Sequence, residues 1–173
     1  MKIPKEELRF SILSPDHDLS GFICCEKDLE DFLKDDALTS QNNRISVTHL
    51  VFWNDVLVGF FTLTTDSIEV KGIHDGDGVE DYPYSRYPAL KIARLATDDH
   101  YTKRGIGMHM LREILVMTIT ISHNVGCRII TVDAKTRSIG FYEAFGFRRT
   151  LRKQTDSTSM YRDFHRDLIE SQK

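Results

Sequence analysis

The stretch Lys103-Arg104-Gly105-Ile106-Gly107 joins an apolar run at residues 89–97 to a long run with helical spacing at residues 108–124. The pattern predicts a strand, a glycine-containing turn and the start of a helix. Backbone N–H groups at a helix start have no partner within the helix, and the helix dipole adds positive potential there. Glycine lets an anion approach the main chain, because it has no Cβ. The stretch therefore predicts a site for a phosphate-bearing ligand.

Two common phosphate-binding turns do not fit this stretch. A dinucleotide-binding turn needs a third glycine at position 110, which holds Met110. A P-loop needs Gly-Lys followed by Ser or Thr, and the chain has no such sequence. A Gly-x-Gly turn can also be no more than a helix start, so the rest of the chain has to decide between the two interpretations.

Size and composition predict one globular domain over residues 1–173. The chain has 173 residues, of which 40% are hydrophobic and 28% charged, and its net charge is −3, which excludes a general basic surface for nucleic acid. The three cysteines, Cys24, Cys25 and Cys127, are typical of a reducing compartment, so we expect a cytoplasmic protein. No apolar run has membrane-spanning length, and no secretory signal opens the sequence, so we expect no membrane partner. We also expect no metal, because no second Cys/His pair lies at ligand spacing from the vicinal cysteines.

Hydrophobic periodicity predicts a mixed α/β order of strand, two helices, hairpin, strand, helix, strand, helix and two strands, with a core at about residues 8–164. The predicted strands are 8–13, 47–53, 56–64, 89–97, 128–133, 147–151 and 160–164. The predicted helical segments are 26–40, 105–124 with Gly126 as its cap, and 138–144 closing at Gly146.

Residues 71–87 are rich in Gly, Asp, Pro and Tyr and have no period, which predicts a long loop. It is either a mobile surface excursion or a lid beside a substrate. Its Asp75-Gly76-Asp77-Gly78 sequence resembles the start of a calcium-binding loop. Val79 stands where the next oxygen ligand belongs, so we expect no calcium site. The seven scattered histidines show no metal-ligand spacing.

Together with the glycine turn, two further segments resemble the GNAT family of N-acetyltransferases. They are the strand end Val132-Asp133-Ala134 and the run Phe141-Tyr142-Glu143-Ala144-Phe145-Gly146-Phe147. The resemblance extends from residue 8 to about 164. It implies a single mixed, mostly antiparallel sheet flanked by helices, with acetyl-CoA as co-substrate.

Within that family, three segments look most like the acetyltransferase toxins of bacterial toxin–antitoxin pairs. They are Phe22-Ile23-Cys24-Cys25, Leu29-Glu30-Asp31-Phe32-Leu33 and Ala93-Arg94-Leu95-Ala96-Thr97. Those toxins acetylate the amine of aminoacyl-tRNA. Whether an antitoxin partner exists is left open by the sequence.

The resemblance implies roles for residues of the turn and of the strand before it. The cofactor-binding candidates are Leu95, Ala96, Thr97, Lys103, Arg104, Gly105, Ile106, Gly107 and Met108. A backbone N–H of Leu95 or Thr97 could hold the thioester carbonyl at a splayed strand end. The family usually has Gln or Arg where this chain has Thr102, which removes one pyrophosphate contact.

Acetyl transfer from a thioester needs a neutral amine, a stabilised oxyanion and a proton for the leaving thiolate. Tyr142 is the candidate acid, because the family commonly has a tyrosine there. The alternative is a packing role against Phe141 and Phe145. Arg94, a cation inside an apolar strand, contacts either substrate or a carboxylate.

The general base is not assigned. Four carboxylates lie near predicted strand ends, and a water chain could replace any of them: Asp66, Glu69, Asp98 and Asp99.

The sequence thus predicts an acetyl-CoA-dependent N-acetyltransferase acting on a primary amine of a small molecule or peptide. This acceptor is preferred because the net charge and the 71–87 loop are acidic and would repel a polyanion. The alternatives are aminoacyl-tRNA as acceptor and a non-catalytic acyl-CoA-binding module. Charged tRNA would need phosphate contacts from the basic cluster Arg148, Arg149, Arg152 and Lys153. A homodimer, the acyl-chain preference and the identity of the amine are left open.

Overall fold

The computed structural model describes residues 1–152 and 156–170, and seven strands within them form one mixed sheet. The strands are β1 Leu8–Ile12, β2 Val47–Trp53, β3 Val56–Glu69, β4 Arg86–Thr97, β5 Ile129–Ala134, β6 Arg148–Arg149 and β7 Thr158–Asp163. Their order in the sheet is β1-β2-β3-β4-β5-β7-β6. The predicted fold class is confirmed.

The strand pairs follow the predicted pattern. β1–β2, β2–β3, β5–β7 and β6–β7 are antiparallel, whereas β4 and β5 are parallel, as a strand–helix–strand connection requires. Two strand boundaries differ from expectation by three residues or more. β3 continues to Glu69, and β4 begins at Arg86 within the predicted loop.

The helices are α1 Lys27–Asp31, α2 Ala37–Asn42, α3 Ile106–Ser122, α4 Ile139–Ala144 and α5 Phe164–Glu170. A π-helical turn, Phe32–Asp36, connects α1 to α2. Such turns often mark functional sites, because the extra residue redirects the side chains. The predicted cap Gly126 is wrong, since α3 ends at Ser122 and Gly126 is not among the residues with positive φ. Helix α5 was not predicted.

The chain forms two compact units. The first consists of Met1–Thr64 and Ala93–Glu113, and the second of Thr65–Ile92 and Ile114–Lys173. The expected single-domain organisation stays a prediction.

The core of the first unit lies between β-strand residues and the α1–α2 segment. Its buried members are Leu13, Phe22, Cys24, Leu33, Ala37, Leu50, Phe52, Leu57, Phe60 and Ala96. Gly59 on β3 makes a close approach possible here. A Cβ at this position would lie 3.1 Å from the Ala96 carbonyl oxygen and 3.4 Å from side-chain atoms of Ile106 and Met110. Glycine therefore lets β3 pack tightly against β4 and the start of α3.

A smaller core in the second unit surrounds Tyr87 and Tyr161. Its buried members are Ile68, Ile73, Tyr87, Ala89, Ile129 and Tyr161. No helix in the described ranges, 1–152 and 156–170, has both the length and the apolarity to cross a membrane.

Candidate active site

The predicted phosphate turn lies in the first unit and has a left-handed backbone at two residues. Lys103 has φ +60° and Gly105 has φ +90°, and α3 begins at the next residue, Ile106. A Cβ at Gly105 would find no atom nearer than His109 Nε2 at 3.8 Å, so backbone conformation rather than space demands glycine there. Left-handed residues in such a turn direct successive N–H groups to one side, which forms a concave anion site.

The segment before β1 holds this turn in place. The Ile3 N–H donates to the Arg104 carbonyl at 2.9 Å, and His109 Nε2 lies 3.1 Å from the Ile3 carbonyl. Because a carbonyl can only accept, Nε2 must carry the proton. His109 Nδ1 is then buried with no hydrogen-bond partner within the described part of the chain. Ile3 itself is buried, so packing as well as hydrogen bonds holds the turn in place.

The two cations of the turn differ. The Arg104 guanidinium lies over the rings of Tyr101, at 5.2 Å, and Trp53, at 5.9 Å, whereas Lys103 extends into solvent. Trp53 is in turn oriented by Glu7, since its Nε1–H donates to Oε2 at 2.8 Å. Arg104 is therefore a preorganised cation and Lys103 a flexible one. Thr102 donates its hydroxyl hydrogen to the Asp99 carbonyl at 3.2 Å.

Before the turn, the backbone N–H and C=O groups of β4 change which neighbouring strand they face. The register with β5 ends at Ile92↔Val132, five residues before β4 ends. The Pro88 carbonyl accepts a hydrogen bond from the backbone N–H of Arg128, just before β5, whereas the backbone N–H of Asp98 donates to the Val58 carbonyl on β3. In a regular strand these two positions would face the same edge, so the alternation shifts between them, as at a β-bulge.

This shift exposes N–H groups at the end of β4. Asp98 faces β3, so the N–H of the preceding residue, Thr97, points to the opposite edge. Leu95 lies between Ile92, which pairs with β5, and Asp98, which donates to β3, and so within the stretch where the alternation shifts. This geometry supports the predicted role of Leu95 and Thr97 as donors to a thioester oxygen, and the assignment stays a prediction.

Arg94 has intramolecular partners. Its Nη1 donates to the Ala93 carbonyl at 2.7 Å, and its guanidinium lies 4.8 Å from the ring centre of Phe32, in the π-helical turn. The side chain thus satisfies a carbonyl in the bulged stretch. Its substrate-binding role stays a prediction, because these contacts already account for its burial.

Tyr142 lies in α4 of the second unit, with its ring buried between Phe141, at 5.1 Å, and Phe147, at 5.4 Å. Gly146, with φ +84°, ends the helix and lets the Phe147 N–H donate to the Tyr142 carbonyl at 3.1 Å. The Tyr142 hydroxyl makes no hydrogen bond to any described residue. Burial raises the pKa of Tyr142 well above its ordinary value, so the phenol is neutral and carries its proton.

Three of the four carboxylates considered as general base are already engaged. Asp98 accepts from the N–H groups of Ile23 and His100 and from the His100 ring. Asp66 accepts from Ser67 and Thr131.

Glu69 is the third engaged carboxylate, and it forms ion pairs with Lys71, Arg86 and Arg152. Asp99 is the fourth candidate and lies two residues beyond β4.

The 71–87 loop is held by many contacts of the second unit, which argues against a mobile excursion. Asp77 pairs with Arg148 at 2.9 Å and with Arg166 at 3.1 Å, and it accepts the Tyr161 hydroxyl at 2.6 Å. Gly78 donates to Asp163 at 2.7 Å. Two arginines of the predicted basic cluster, Arg148 and Arg152, therefore neutralise acidic partners. Lys153 lies outside the described residues.

Comparisons with known proteins agree with this geometry. A family model described as "Acetyltransferase (GNAT) family" matches residues 9–147. A curated relative from Mycobacterium tuberculosis, named tRNA-acetylating toxin, is 28% identical over 137 residues, which make up 78% of this chain and 81% of the relative.

Two solved structures have a similar fold. The toxin AtaT, complexed with acetyl-methionyl-tRNAfMet, has a TM-score of 0.86 at 21% identity, covering 95% of this chain and 99% of that one. A mutant AtaT bound to acetyl-CoA and to the C-terminus of the antitoxin AtaR has a TM-score of 0.77 at 19% identity, covering 96% and 99%. At these identities the likeness shows the fold.

Proposed function

We propose that this chain, which belongs to the GNAT family of acetyltransferases, transfers the acetyl group of acetyl-CoA to the α-amine of an aminoacyl-tRNA. The family, the enzyme class and acetyl-CoA as co-substrate were predicted from the sequence and are confirmed. The closer likeness to the toxin-type members of the family is confirmed as well. The acceptor is the new element of the proposal.

The observation that carries the acceptor is the curated tRNA-acetylating relative, which aligns with most of this chain. It favours the alternative acceptor, aminoacyl-tRNA, over the small amine that the charge of the sequence favours. The charge argument for a small amine also weakens, because Asp77 and Glu69 are neutralised by arginines within the second unit. An acidic loop whose carboxylates are paired repels a polyanion less than its composition suggests.

The first unit fits the pyrophosphate of acetyl-CoA. The left-handed turn and the first N–H groups of α3 are donors for phosphate oxygens, and Arg104 is a fixed cation beside them. Because Thr102 donates to the Asp99 carbonyl, we assign to Arg104 the pyrophosphate contact that Gln or Arg usually makes at position 102. Acetyl-CoA supplies a thioester-activated acetyl group, and the Leu95 and Thr97 N–H groups would hold its oxygen.

Tyr142 would give its proton to the leaving thiolate. A buried, neutral phenol whose hydroxyl bonds to no described residue is free to donate. The buried phenolate that remains is unfavourable, so the proton must be replaced quickly, and the amine that loses its proton on acylation is the natural source.

The low pKa of the acceptor's α-amine removes the need for a strong base. An α-amine has a pKa of about 7.7–8.0, so about a tenth of it is neutral at pH 7, whereas a lysine amine with a pKa of about 10.4 is almost fully protonated. With Asp66, Glu69 and Asp98 engaged in other contacts, an α-amine is the easier acceptor. This favours aminoacyl-tRNA over polyamines or lysine side chains.

The test is acetyl transfer measured by mass spectrometry with five acceptor classes: charged tRNA, uncharged tRNA, free amino acids, polyamines and peptides. We expect an N-acetylated amino acid to be released by ester hydrolysis from charged tRNA only, and Tyr142→Phe to slow its formation about 10²–10⁴-fold. Faster transfer to a free amine would overturn the acceptor assignment. Binding of coenzyme A with no transfer to any acceptor would favour the non-catalytic module.

A toxin-like activity would also need neutralisation, so we include an antitoxin protein among the proposed partners, by analogy with the AtaT–AtaR structure. Expression of the chain in bacteria should slow growth, and Tyr142→Phe should relieve the effect. Equal growth inhibition by both proteins would argue against acetylation as its cause.

A further inference from the structure

Two cysteines and an aspartate from distant parts of the sequence meet in the first unit. One ligand atom from each of Cys24, Cys25 and Asp99 lies within 4.8 Å of the others. Cys24 is buried, Cys25 is exposed and Asp99 is partly buried. The sequence could not indicate this cluster, because Asp99 follows β4 whereas the cysteines precede α1.

Hydrogen bonds fix the two backbone segments that carry these side chains. The Asp99 N–H donates to the Ile23 carbonyl at 2.9 Å, and the Ile23 N–H donates to Asp98 Oδ2 at 2.9 Å. The Cys24 N–H donates to Glu30 Oε2 at 3.1 Å, and the Cys24 side chain packs in the core. The ligand-bearing segments are therefore held together before any ion arrives, which lowers the cost of ordering them.

We propose that Cys24, Cys25 and Asp99 bind one soft divalent cation of the zinc class. Two sulphurs select zinc-class ions over magnesium and calcium, which prefer oxygen ligands. With zinc–sulphur bonds of about 2.3 Å, two sulphurs in a tetrahedral site lie about 3.8 Å apart, so the two sulphurs must approach one another by at most about 1 Å. Each thiol releases one proton when its sulphur binds the metal.

The fourth ligand position is open to water on the exposed Cys25 side. The ion would join the segment before α1 to the segment after β4. The site carries no step of acetyl transfer. Its expected effect is to fix these two segments, and through them the end of β4.

The test uses Co²⁺ as a spectroscopic probe, because thiolate–cobalt bonds give a charge-transfer absorption that carboxylate or imidazole sites lack. We expect one Co²⁺ per chain, displacement of Co²⁺ by Zn²⁺, and a metal-dependent rise in melting temperature. Cys25→Ser and Asp99→Asn should each weaken binding by about tenfold or more. Cys127→Ser is the matched control, because that cysteine lies outside the cluster, and it should bind like the wild type.

Absence of the charge-transfer band in the wild type would overturn the proposal. So would unchanged binding by Cys25→Ser, or loss of binding by Cys127→Ser. Circular dichroism checks that each variant folds. If Asp99→Asn does not fold, Cys25→Ser decides the outcome, because that side chain is exposed and its loss leaves the core intact.

Discussion

Gly105 is the residue on which the phosphate turn depends. Its φ of +90° is accessible to glycine at little cost, whereas an L-residue there loses about 1–2 kcal/mol. We expect Gly105→Ala to lower stability by about that amount and to weaken coenzyme A binding, measured by thermal denaturation and calorimetry. Since a Cβ at this position would meet no protein atom nearer than 3.8 Å, the loss of stability comes from the backbone conformation and not from a clash with neighbouring residues.

Gly21→Ala is the matched control for Gly105→Ala. Gly21 is not among the positive-φ residues, and a Cβ there would meet nothing within 4 Å. Its coenzyme A affinity should equal that of the wild type. Equal affinity of Gly105→Ala and the wild type would mean that the left-handed turn does not hold the pyrophosphate.

The Tyr142 hydroxyl should matter for rate and not for stability. Tyr142→Phe keeps the ring packed against Phe141 and Phe147 and removes a hydroxyl that bonds to no described residue. We expect kcat to fall about 10²–10⁴-fold with an unchanged melting temperature, because general acid catalysis is worth about that factor. The measurement is steady-state kinetics beside thermal denaturation.

Tyr161→Phe serves as a control for which a loss of stability is expected. Its hydroxyl donates to Asp77 and accepts from the His74 N–H, so its loss should cost stability. A kcat for Tyr142→Phe within about twofold of the wild type would leave Tyr142 with a packing role only.

At the scale of elements, Asp77 ties the 71–87 loop to β6, β7 and α5. Burial alone would raise the pKa of its carboxyl, but the Tyr161 hydroxyl, Arg148 and Arg166 hold that pKa below its ordinary value. A lowered folded-state pKa stabilises the protein above the unfolded-state pKa of about 3.9, and this contribution is lost as pH falls through the folded-state pKa.

We therefore expect Asp77→Asn to lower the free energy of unfolding at pH 7 by about 1.5–3 kcal/mol. The difference from the wild type should narrow as the pH falls below about 4. Urea denaturation across pH measures both effects. Asp75→Asn, at an exposed position in the same loop, should match the wild type throughout. A pH-independent effect of Asp77→Asn would show that charge is not what holds the loop.

The elements show what sequence patterns can and cannot predict. Strand β4, the turn, α3 and the α4–Gly146 end were predictable because local periodicity and glycine conformation determine them. The change within β4 of the strand that its backbone groups face was not predictable, because a bulge depends on partners on both edges of a strand. The ion pair between Asp77 and Arg148 was missed for a related reason: composition counts charges but does not pair them.

At the scale of the whole molecule, the proposed tRNA acceptor raises the question of how a chain of net charge −3 binds a polyanion. Charge pairing answers part of it. Arg148 and Arg152 are occupied by Asp77 and Glu69, whereas Arg149 is 57% exposed and pairs with Glu143, which is itself 45% exposed. An exposed pair of this kind is worth little, so Arg149 can exchange its partner for a phosphate.

The last prediction concerns Arg149. If charged tRNA is the acceptor, kcat/KM should fall with salt, and Arg149→Glu should flatten the log–log slope by about one unit, because one phosphate contact is lost. Arg148→Glu is a poor probe, since it would place a second carboxylate beside the buried Asp77. Arg9→Glu is the matched control, because Arg9 is 56% exposed and pairs with the exposed Asp55. Transfer to a free α-amine should show almost no salt dependence in any of these proteins. An unchanged slope in Arg149→Glu, or equal flattening in Arg9→Glu, would exclude Arg149 as a phosphate contact while leaving the acetyl transfer to be judged by its products.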